Sequence, residues 1–453
     1  MRVRTRKGSP SREIVISPNL LVKLSPYLVY IIYTLYSWKA SQLETHLYAG
    51  DFQFYFKTSY EFWGRFTSEY ADHLYNEFFN INPDKYNGWV ANPIYSIIAL
   101  APITVFGSKL GFALLGFVTG LFNISLIRRL CTKLAKENRK TYSKSIGIAC
   151  SLIYTIYPNF SHNTLCLTTN GIYCTFILLM ALAKSNRSMV IFGIMAVCIR
   201  PNSIYFLGAA IIAFIAYKPV IKNNNLIKII SVLSIVSTGY IIFYFTHHST
   251  YPSSGNIVVY FIYPFGQNFD IGFEKYANEF ILKTLNAASG VHASYFLFSE
   301  ESAISMKLLV EKWLFLPEAH YYIINLYFLK LQALLGYTQR TLHDVFTIDS
   351  YWHRASLDRI IYFLFILPGF MIGIKKIAID VVNVRLRSRG SIITAYMCCN
   401  SISILYILIS ALSIGFPRYQ LPFSIIFIYN TINAISYMYD GEDNRGYLVK
   451  SDK

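Results

Sequence analysis

The stretch SKLGFALLGFVTGLFNISLIRRLCTKLAKENRKTYSKSIGIAC, residues 108–150, contains the pattern that decides the fold. An apolar segment ends in Arg128 and Arg129, a connector rich in Lys and Arg follows, and a second apolar segment begins near residue 145. A helix of ~20 apolar residues crosses the ~30 Å hydrocarbon core of a bilayer. The stretch therefore predicts two membrane spans joined by a basic connector.

The same alternation continues in both directions along the 453-residue chain, in which 54% of residues are hydrophobic. A soluble domain is rarely so apolar over such a length. We expect an all-α polytopic membrane protein with about ten transmembrane helices, in one integral-membrane domain that covers residues 1–453. The predicted spans lie near 20–38, 108–127, 145–158, 165–183, 188–200, 203–217, 229–246, 357–374, 391–413 and 420–437.

The charge of the connectors predicts an orientation. One alternating set carries the larger part of the 41 Lys and Arg residues, whereas the other set is slightly acidic. Basic connectors stay on the cytoplasmic side. We therefore expect both termini in the cytoplasm, and a multi-pass protein of the inner (plasma) membrane with two large outer loops, 39–106 and 247–356. The net charge of +17 does not indicate nucleic acid, because it resides beside the membrane, where it meets anionic lipids.

The apolar segment 93–106, PIYSIIALAPITVF, is not counted as a span. If it crossed, the basic connector after Arg128 would lie outside, against the positive-inside rule. It is also short and contains Pro102. We therefore predict an interfacial or re-entrant helix at 93–106, and amphipathic helices in the second outer loop.

Asp51 is the candidate catalytic residue. It lies in the aromatic stretch YAGDFQFYF of the first outer loop. An apolar setting raises the pKa of a carboxylate, which then suits it to act as a general base on a hydroxyl group. The alternative is a solvated loop aspartate, and the motif alone favours neither.

Three cations are candidates for binding a phosphate group. Arg200 ends an apolar segment before Pro201, and Arg418 lies in GFPRYQLP between the last two spans. A guanidinium can bind phosphate through two hydrogen bonds, but both residues could also simply snorkel to the interface. Lys330, on the amphipathic stretch NLYFLKLQALLG of the second outer loop, either binds an anionic head group or snorkels.

The sequence contains no strong cofactor motif. Neither HxxxH nor CxxC occurs, so no metal site is predicted from His or Cys. A divalent metal stays open, since loop Asp, Glu and Asn residues could supply oxygen ligands. Neither GxxxxGK[ST] nor GxGxxG occurs, which excludes those two routes of nucleotide binding. An enzyme with an outer site would therefore take an activated substrate from the membrane.

Four landmarks follow one another in the chain. They are Gly50-Asp51, then NPIYSIIALAPITVFG at 92–107, then Arg200-Pro201 with Pro158 before it, and finally PEAHYYIINLYFLKLQALLG at 317–336 with PRYQLP at 417–422. In this order the chain resembles the type-C (GT-C) superfamily of polytopic membrane glycosyltransferases. It is most similar to bacterial relatives of the protein O-mannosyltransferase and aminoarabinose-transferase group, and the likeness covers residues 20–437.

The resemblance implies an inverting transfer of a sugar from a polyprenyl-phosphate donor to a lipid, glycan or protein acceptor at the outer face. Asp51 would be the base, and Arg200, Arg418 or Lys330 would hold the donor phosphate. The chain departs from the family pattern at Phe52 and Asn170, where the family often has an acidic residue, and at Asn92, where Pro or His is common. These departures bear on metal dependence and acceptor type more than on fold.

Two other functions fit parts of the pattern. A polysaccharide polymerase or ligase also acts on lipid-linked glycans through a basic outer loop. A flippase for lipid-linked sugars, or another transporter, would have charged residues inside many spans. Most predicted spans here are almost free of charge and the outer loops are large, which favours an enzyme. The absence of a fixed-period internal repeat also disfavours transporter folds built from repeats.

Overall fold

The computed structural model describes the greater part of the apolar segments. The described residues are 18–40, 98, 102, 105–106, 108–138, 142–157, 160, 164, 168–199, 203–217, 231–239, 324, 327–328, 330–332, 334–335, 357, 359–386, 394–412 and 420–448.

These residues are almost all helical, and none of the described residues lies in a strand, which confirms the all-α prediction for this part of the chain. A π-helix, Tyr362–Ile366, immediately precedes the α-helix that begins at Leu367. The helices are α1 (Pro18–Ala40), α2 (Ser108–Glu137), α3 (Ser143–Ile156), α4 (Thr168–Leu182), α5 (Asn186–Ile199), α6 (Ser203–Tyr217), α7 (231–239), α8 (Leu367–Leu386), α9 (Ala395–Ala411) and α10 (Leu421–Leu448).

Two of the described helices, Ala113–Glu137 and Arg359–Asn383, are long and apolar enough to cross a membrane. Five more are apolar but have only 10–17 residues: Ser143–Ile156, Thr169–Leu182, Asn186–Ile199, Tyr205–Tyr217 and Ala395–Ala411. The described structure is therefore compatible with a membrane protein.

Local sequence explains several helix ends. A residue before proline avoids helical geometry, and α3 accordingly ends just before Tyr157-Pro158. The side chain of Thr394 accepts a hydrogen bond from the Met397 backbone N–H (3.2 Å) and so caps the start of α9. Inside α1, Pro26 cannot donate to the Val22 carbonyl, which accepts the Ser25 hydroxyl instead (2.9 Å).

α2 extends ten residues past the predicted span end at 127 and reaches Glu137. The apolar face continues there, because Leu130, Leu134 and Ala135 are buried. A boundary set by the first charged residues was therefore too early for this helix. Charged side chains can lie on the exposed face of a helix while its buried apolar face continues through the next turns.

α1 and α2 run antiparallel. Arg128 of α2 donates to the Lys23 carbonyl near the start of α1 (3.3 Å). Tyr30, further along α1, donates to the carbonyl of Gly116, which comes earlier in α2 (3.3 Å). A side chain at Gly120 would collide with the Tyr30 hydroxyl, so the small residue permits this approach.

α2 and α4 run in the same direction. The Asn123 amide donates to the Gly171 carbonyl early in α4 (2.9 Å). Lys133, later in α2, donates to the Ala181 carbonyl near the end of α4 (3.4 Å). Contacts that advance together along both chains define a parallel pair.

α9 runs antiparallel to α10. The rings of Tyr406 and Phe423 stack with centroids 3.9 Å apart. Tyr396, earlier in α9, donates to Asn430, later in α10 (2.8 Å). α10 also packs on α3, where the Tyr154 hydroxyl donates to the Leu421 carbonyl.

The described bundle combines buried polar side chains with an apolar exterior. Amide and hydroxyl side chains such as Asn123, Asn400 and Asn430 are buried. Large apolar side chains cover much of the exterior, among them Ile32, Ile215, Ile235, Leu364 and Met371. An exterior of this kind suits a bilayer or a partner surface rather than water.

Most of the predicted outer loops, 39–106 and 247–356, lies outside the described residues. Of the predicted interfacial helix 93–106, residues 98, 102, 105 and 106 are described, and all four are helical. Whether this segment returns to the outer side stays a prediction.

Candidate functional site

Three of the four predicted site residues, Asp51, Arg200 and Arg418, lie outside the described residues. Their roles and their distance from one another stay predictions. Lys330 is the predicted site residue that lies within the described part of the chain.

Lys330 belongs to the described helical residues 324, 327, 328, 330–332 and 334, and its side chain is on their buried side. Ile324 and Phe328, one turn apart, are exposed on the other face. Lys330 is only 2% exposed, and Leu334 beside it is fully buried. A snorkelling lysine would extend its ammonium group to the surface, so this burial does not fit that alternative.

The segment is docked against α9. The Tyr327 hydroxyl donates to the carbonyl of Leu408 in the last turn of α9 (3.2 Å). Leu334 and Leu335 belong to the main hydrophobic core, which also contains Tyr406 and Ile407 of α9. The docking places the described residues around Lys330 beside α9, the helix that precedes Arg418 in the chain.

Burial lowers the pKa of Lys330 from its ordinary value of 10.5 to about 7. The cause is the loss of water around the ammonium group, which disfavours the charged form. An anion bound beside the amine would favour the charged form again. The side chain is therefore suited to bind a phosphate in a setting with a low dielectric constant.

The residues flanking the two predicted arginines belong to the same core as the Lys330 segment. Ile199, which ends α5 just before Arg200, is fully buried. Leu421, three residues after Arg418, is also buried in this core. The described structure thus brings the three neighbourhoods into one continuous core, without defining the distances between the cationic groups.

Gln420 fixes the chain two residues after Arg418. Its side-chain amide donates to the hydroxyl of Tyr157, which follows α3 (2.7 Å), and both residues are fully buried. The start of α10 is therefore tied to the end of α3. Pro158 follows Tyr157, and α4, the next helix whose bounds are described, begins at Thr168.

The start of α4 contains polar side chains that are buried without hydrogen-bond partners. Asn170, in the first turn of α4, is 2% exposed, and neither atom of its amide has a partner. The hydroxyls of Thr164 and Thr169 are fully buried and equally without partners. Asn170 entered the sequence analysis only as a departure from a family pattern.

A second polar group, which sequence reasoning missed, joins α8, α9 and α10. The Asn430 amide donates to the Gly369 carbonyl (3.0 Å) and to the Asn400 side-chain oxygen (2.9 Å). Asn400 donates to the Gly373 carbonyl (3.0 Å), and Tyr396 donates to Asn430. Every polar group named here has a partner.

A signal for this second group was present in the sequence. Gly369 and Gly373 form a GxxxG pattern in an apolar stretch, which is typical of close helix contacts in membranes. A side chain at Gly369 would collide with the backbone carbonyl of Phe427. Lone Asn residues in two apolar segments were the matching signal for the partner helices.

Within the described part of the chain, no cluster of three or more His, Cys, Asp or Glu residues could hold a metal ion. Asp51 and the carboxylates of the two outer loops lie outside that part. That oxygen atoms of the loops could bind a divalent metal therefore stays a prediction.

Comparisons of this chain with protein-family models, with curated proteins and with solved structures found no match.

Proposed function

We propose that this chain is an integral-membrane glycosyltransferase. It crosses the membrane about ten times, consistent with ~20 residues per span, and keeps both termini in the cytoplasm and loops 39–106 and 247–356 outside. Its donor is a polyprenyl-phosphate-linked sugar, and its acceptor is a lipid, a glycan or a protein at the outer face.

The directions of the described helices support this topology. It requires α1 and α2 to be antiparallel, α2 and α4 to be parallel, and α9 and α10 to be antiparallel. The hydrogen bonds from Arg128, Lys133 and Tyr396 give those directions. Arg128 and Lys133 also lie toward one end of the bundle, as the positive-inside rule requires of a cytoplasmic end.

The observation that carries the donor proposal is the burial of Lys330. A buried ammonium group is costly and is retained where it meets an anion. The segment that holds it is docked on α9 through Tyr327, in a loop assigned to the outer side. A lipid-linked phosphate reaches such a position from the bilayer, without passing through water.

The reaction then needs two kinds of group. Asp51 accepts the proton of the acceptor hydroxyl as its oxygen attacks the anomeric carbon from the side opposite the phosphate, which inverts that carbon. The bond from the anomeric carbon to the phosphate oxygen breaks, and the electron pair leaves with the phosphate. Lys330, Arg200 or Arg418 stabilises the charge on the departing phosphate, so no strong acid is needed.

The described interior favours an enzyme over a flippase. Lys330 and Asp380 are the charged side chains that are buried among the described residues. Asp380 forms an ion pair with Lys376 one turn earlier in α8 (3.2 Å). A transport path for a charged head group would require more such residues along the described helices.

The proposal is tested by transfer of radiolabelled sugar from polyprenyl-phosphate donors in proteoliposomes. Asp51→Asn keeps the shape of the side chain but cannot take a proton, so transfer should fall ~10²–10⁴-fold, the usual effect of losing a general base. Asp84→Asn, in the same loop, is the matched control and should stay near wild type. Loss of less than about threefold in Asp51→Asn would remove Asp51 as the base.

The topology is tested separately. Lys85→Cys and Lys275→Cys each place a thiol in one of the two large loops, and a membrane-impermeant maleimide should label both from outside the cell. Labelling of either thiol only from the cytoplasmic side would contradict the orientation.

A further inference from the structure

Several buried polar side chains come together in the sequence at the start of α4. Asn170, Thr164 and Thr169 are buried there, and their side-chain polar atoms have no hydrogen-bond partner in the protein. Thr175, one turn after Gly171 in the same helix, donates to Asn123 (2.6 Å) and to Gly171 (3.0 Å). At the start of α4 these side chains therefore lack partners, whereas Thr175, further along the same helix, has two.

Thr164 lies against the first turn of α4. A Cβ atom at Gly171 would come within 3.0 Å of the Thr164 side chain and 3.1 Å of Thr119 in α2. Gly171, next to Asn170 in the chain, therefore lets Thr164 and Thr119 of α2 pack closely against the first turn of α4.

A fourth group belongs to α1. Thr34 is fully buried, and its hydroxyl has no partner. It lies one turn after Tyr30, whose own hydroxyl reaches Gly116 in α2, close in that helix to Thr119. Thr34 therefore adds an unpartnered hydroxyl in α1, which packs against α2.

The chemistry of these groups selects a ligand. Threonine hydroxyls donate and accept, and an amide adds two donors and an acceptor. The first four N–H groups of α4 add donors, because they have no acceptor inside the helix. None of the four side chains is charged, so the set matches a neutral ligand rich in hydroxyl groups better than it matches a phosphate.

We propose that the start of α4 binds the sugar ring of the lipid-linked donor, with Asn170 and Thr169 hydrogen-bonded to its hydroxyl groups. This assignment rests on the proposed function. It separates two tasks: the neutral groups at α4 recognise the sugar, and the cations hold the phosphate.

The test measures binding of synthetic farnesyl phosphates to the purified protein in detergent. The probes are farnesyl-phosphate mannose, glucose and galactose, each compared with farnesyl phosphate itself. The wild type should bind at least one sugar-bearing probe more tightly than farnesyl phosphate. Asn170→Leu should lower that preference about tenfold and leave binding of farnesyl phosphate unchanged, because one to two hydrogen bonds to the sugar are lost.

Two further variants complete the design. Thr169→Val keeps the shape of the side chain and should lower the same preference, which covers the case of a poorly folded leucine variant. Asn433→Leu makes the same chemical change as Asn170→Leu, at a buried amide of α10 whose oxygen also has no partner. It should keep the wild-type preference.

The outcomes separate the two proposals. If the wild type binds none of the probes, the donor assignment fails, and the sugar site fails with it. If the wild type prefers a sugar-bearing probe but Asn170→Leu and Thr169→Val keep that preference within twofold, the sugar site alone is wrong. Ordered water would then be the partner of the buried polar groups. Equal binding of all probes by the wild type also overturns the sugar site, while the phosphate assignment stands.

Discussion

Two buried polar regions of this protein differ in one respect. Between α8, α9 and α10, the amides of Asn400 and Asn430 bind each other and the carbonyls of Gly369 and Gly373. At the start of α4, the amide of Asn170 is equally buried and binds nothing in the protein.

The difference distinguishes structural from functional polarity. A buried polar group without a partner costs about 1–3 kcal/mol, so it needs a compensating role. The network of α8–α10 is fully satisfied and explains itself as a connection between helices. The start of α4 has no such partners in the protein, and the proposed sugar site would supply them.

The largest loss of stability from a single substitution is expected where a larger side chain is forced into the hydrogen-bonded region between α8, α9 and α10. Gly369→Ala would force α8 away from the Phe427 backbone and disrupt the hydrogen bond from Asn430. We expect a loss of about 3 kcal/mol of stability, the upper end for overpacking. Thermal unfolding in detergent measures it.

Gly208→Ala is the control for this prediction. The nearest atom to its new methyl group would be 3.7 Å away, an ordinary contact. Alanine is the better helix former, so this variant should gain up to about 1 kcal/mol. Equal melting of the two variants would contradict the close contact at Gly369.

The next largest loss is expected when a hydrogen-bonding side chain of the same region is replaced by an apolar one. Asn430→Leu removes the partner of Tyr396 and of Asn400 and leaves their polar atoms buried. We expect a loss of about 2 kcal/mol in thermal unfolding. Asn433→Leu, one turn later, should be near neutral. A similar loss of stability in both variants would mean that the hydrogen bonds of Asn430 do not contribute to stability.

Lys330 extends the comparison to charge. The folded protein holds its pKa at about 7, below the ordinary 10.5, so between these values the unfolded chain binds more protons. Stability should therefore rise from pH 7 toward pH 10, by about 1.4 kcal/mol per unit. Below pH 7 the group is protonated in both states and adds no slope.

Lys330→Met should abolish that rise and be more stable than wild type at pH 7. Melting curves of both proteins between pH 7 and 9 provide the measurement. Farnesyl phosphate should flatten the wild-type slope, because a bound anion keeps the amine protonated in the folded state. An unchanged slope with the ligand would argue against Lys330 as a phosphate ligand.

The smallest effect has the opposite sign and sharpens the comparison. Thr169→Val replaces an unpartnered hydroxyl by a methyl group of similar shape, so stability should stay equal or rise by up to about 1 kcal/mol. Sugar transfer should nevertheless fall. A variant that melts lower would show that the hydroxyl has a structural partner.

The sequence by itself determined that the described apolar segments are helical. The apolar segments predicted at 188–200 and 203–217 are α5 (Asn186–Ile199) and α6 (Ser203–Tyr217), because helix length and the stops at Pro201 and its neighbours are local properties. It also determined the candidate residues Asp51, Arg200, Arg418 and Lys330, from motif order and charge.

Only the tertiary structure decided which polar groups are satisfied. Asn430 meets Gly369 across 61 positions of the chain, and no local pattern shows whether an amide has found such a partner. The burial of Lys330 likewise depends on the docking of its segment onto α9. Whether a polar group is desolvated and hydrogen-bonded depends on neighbours that are distant in sequence. For that reason, only the folded chain shows that the Asn170 amide is buried without a partner.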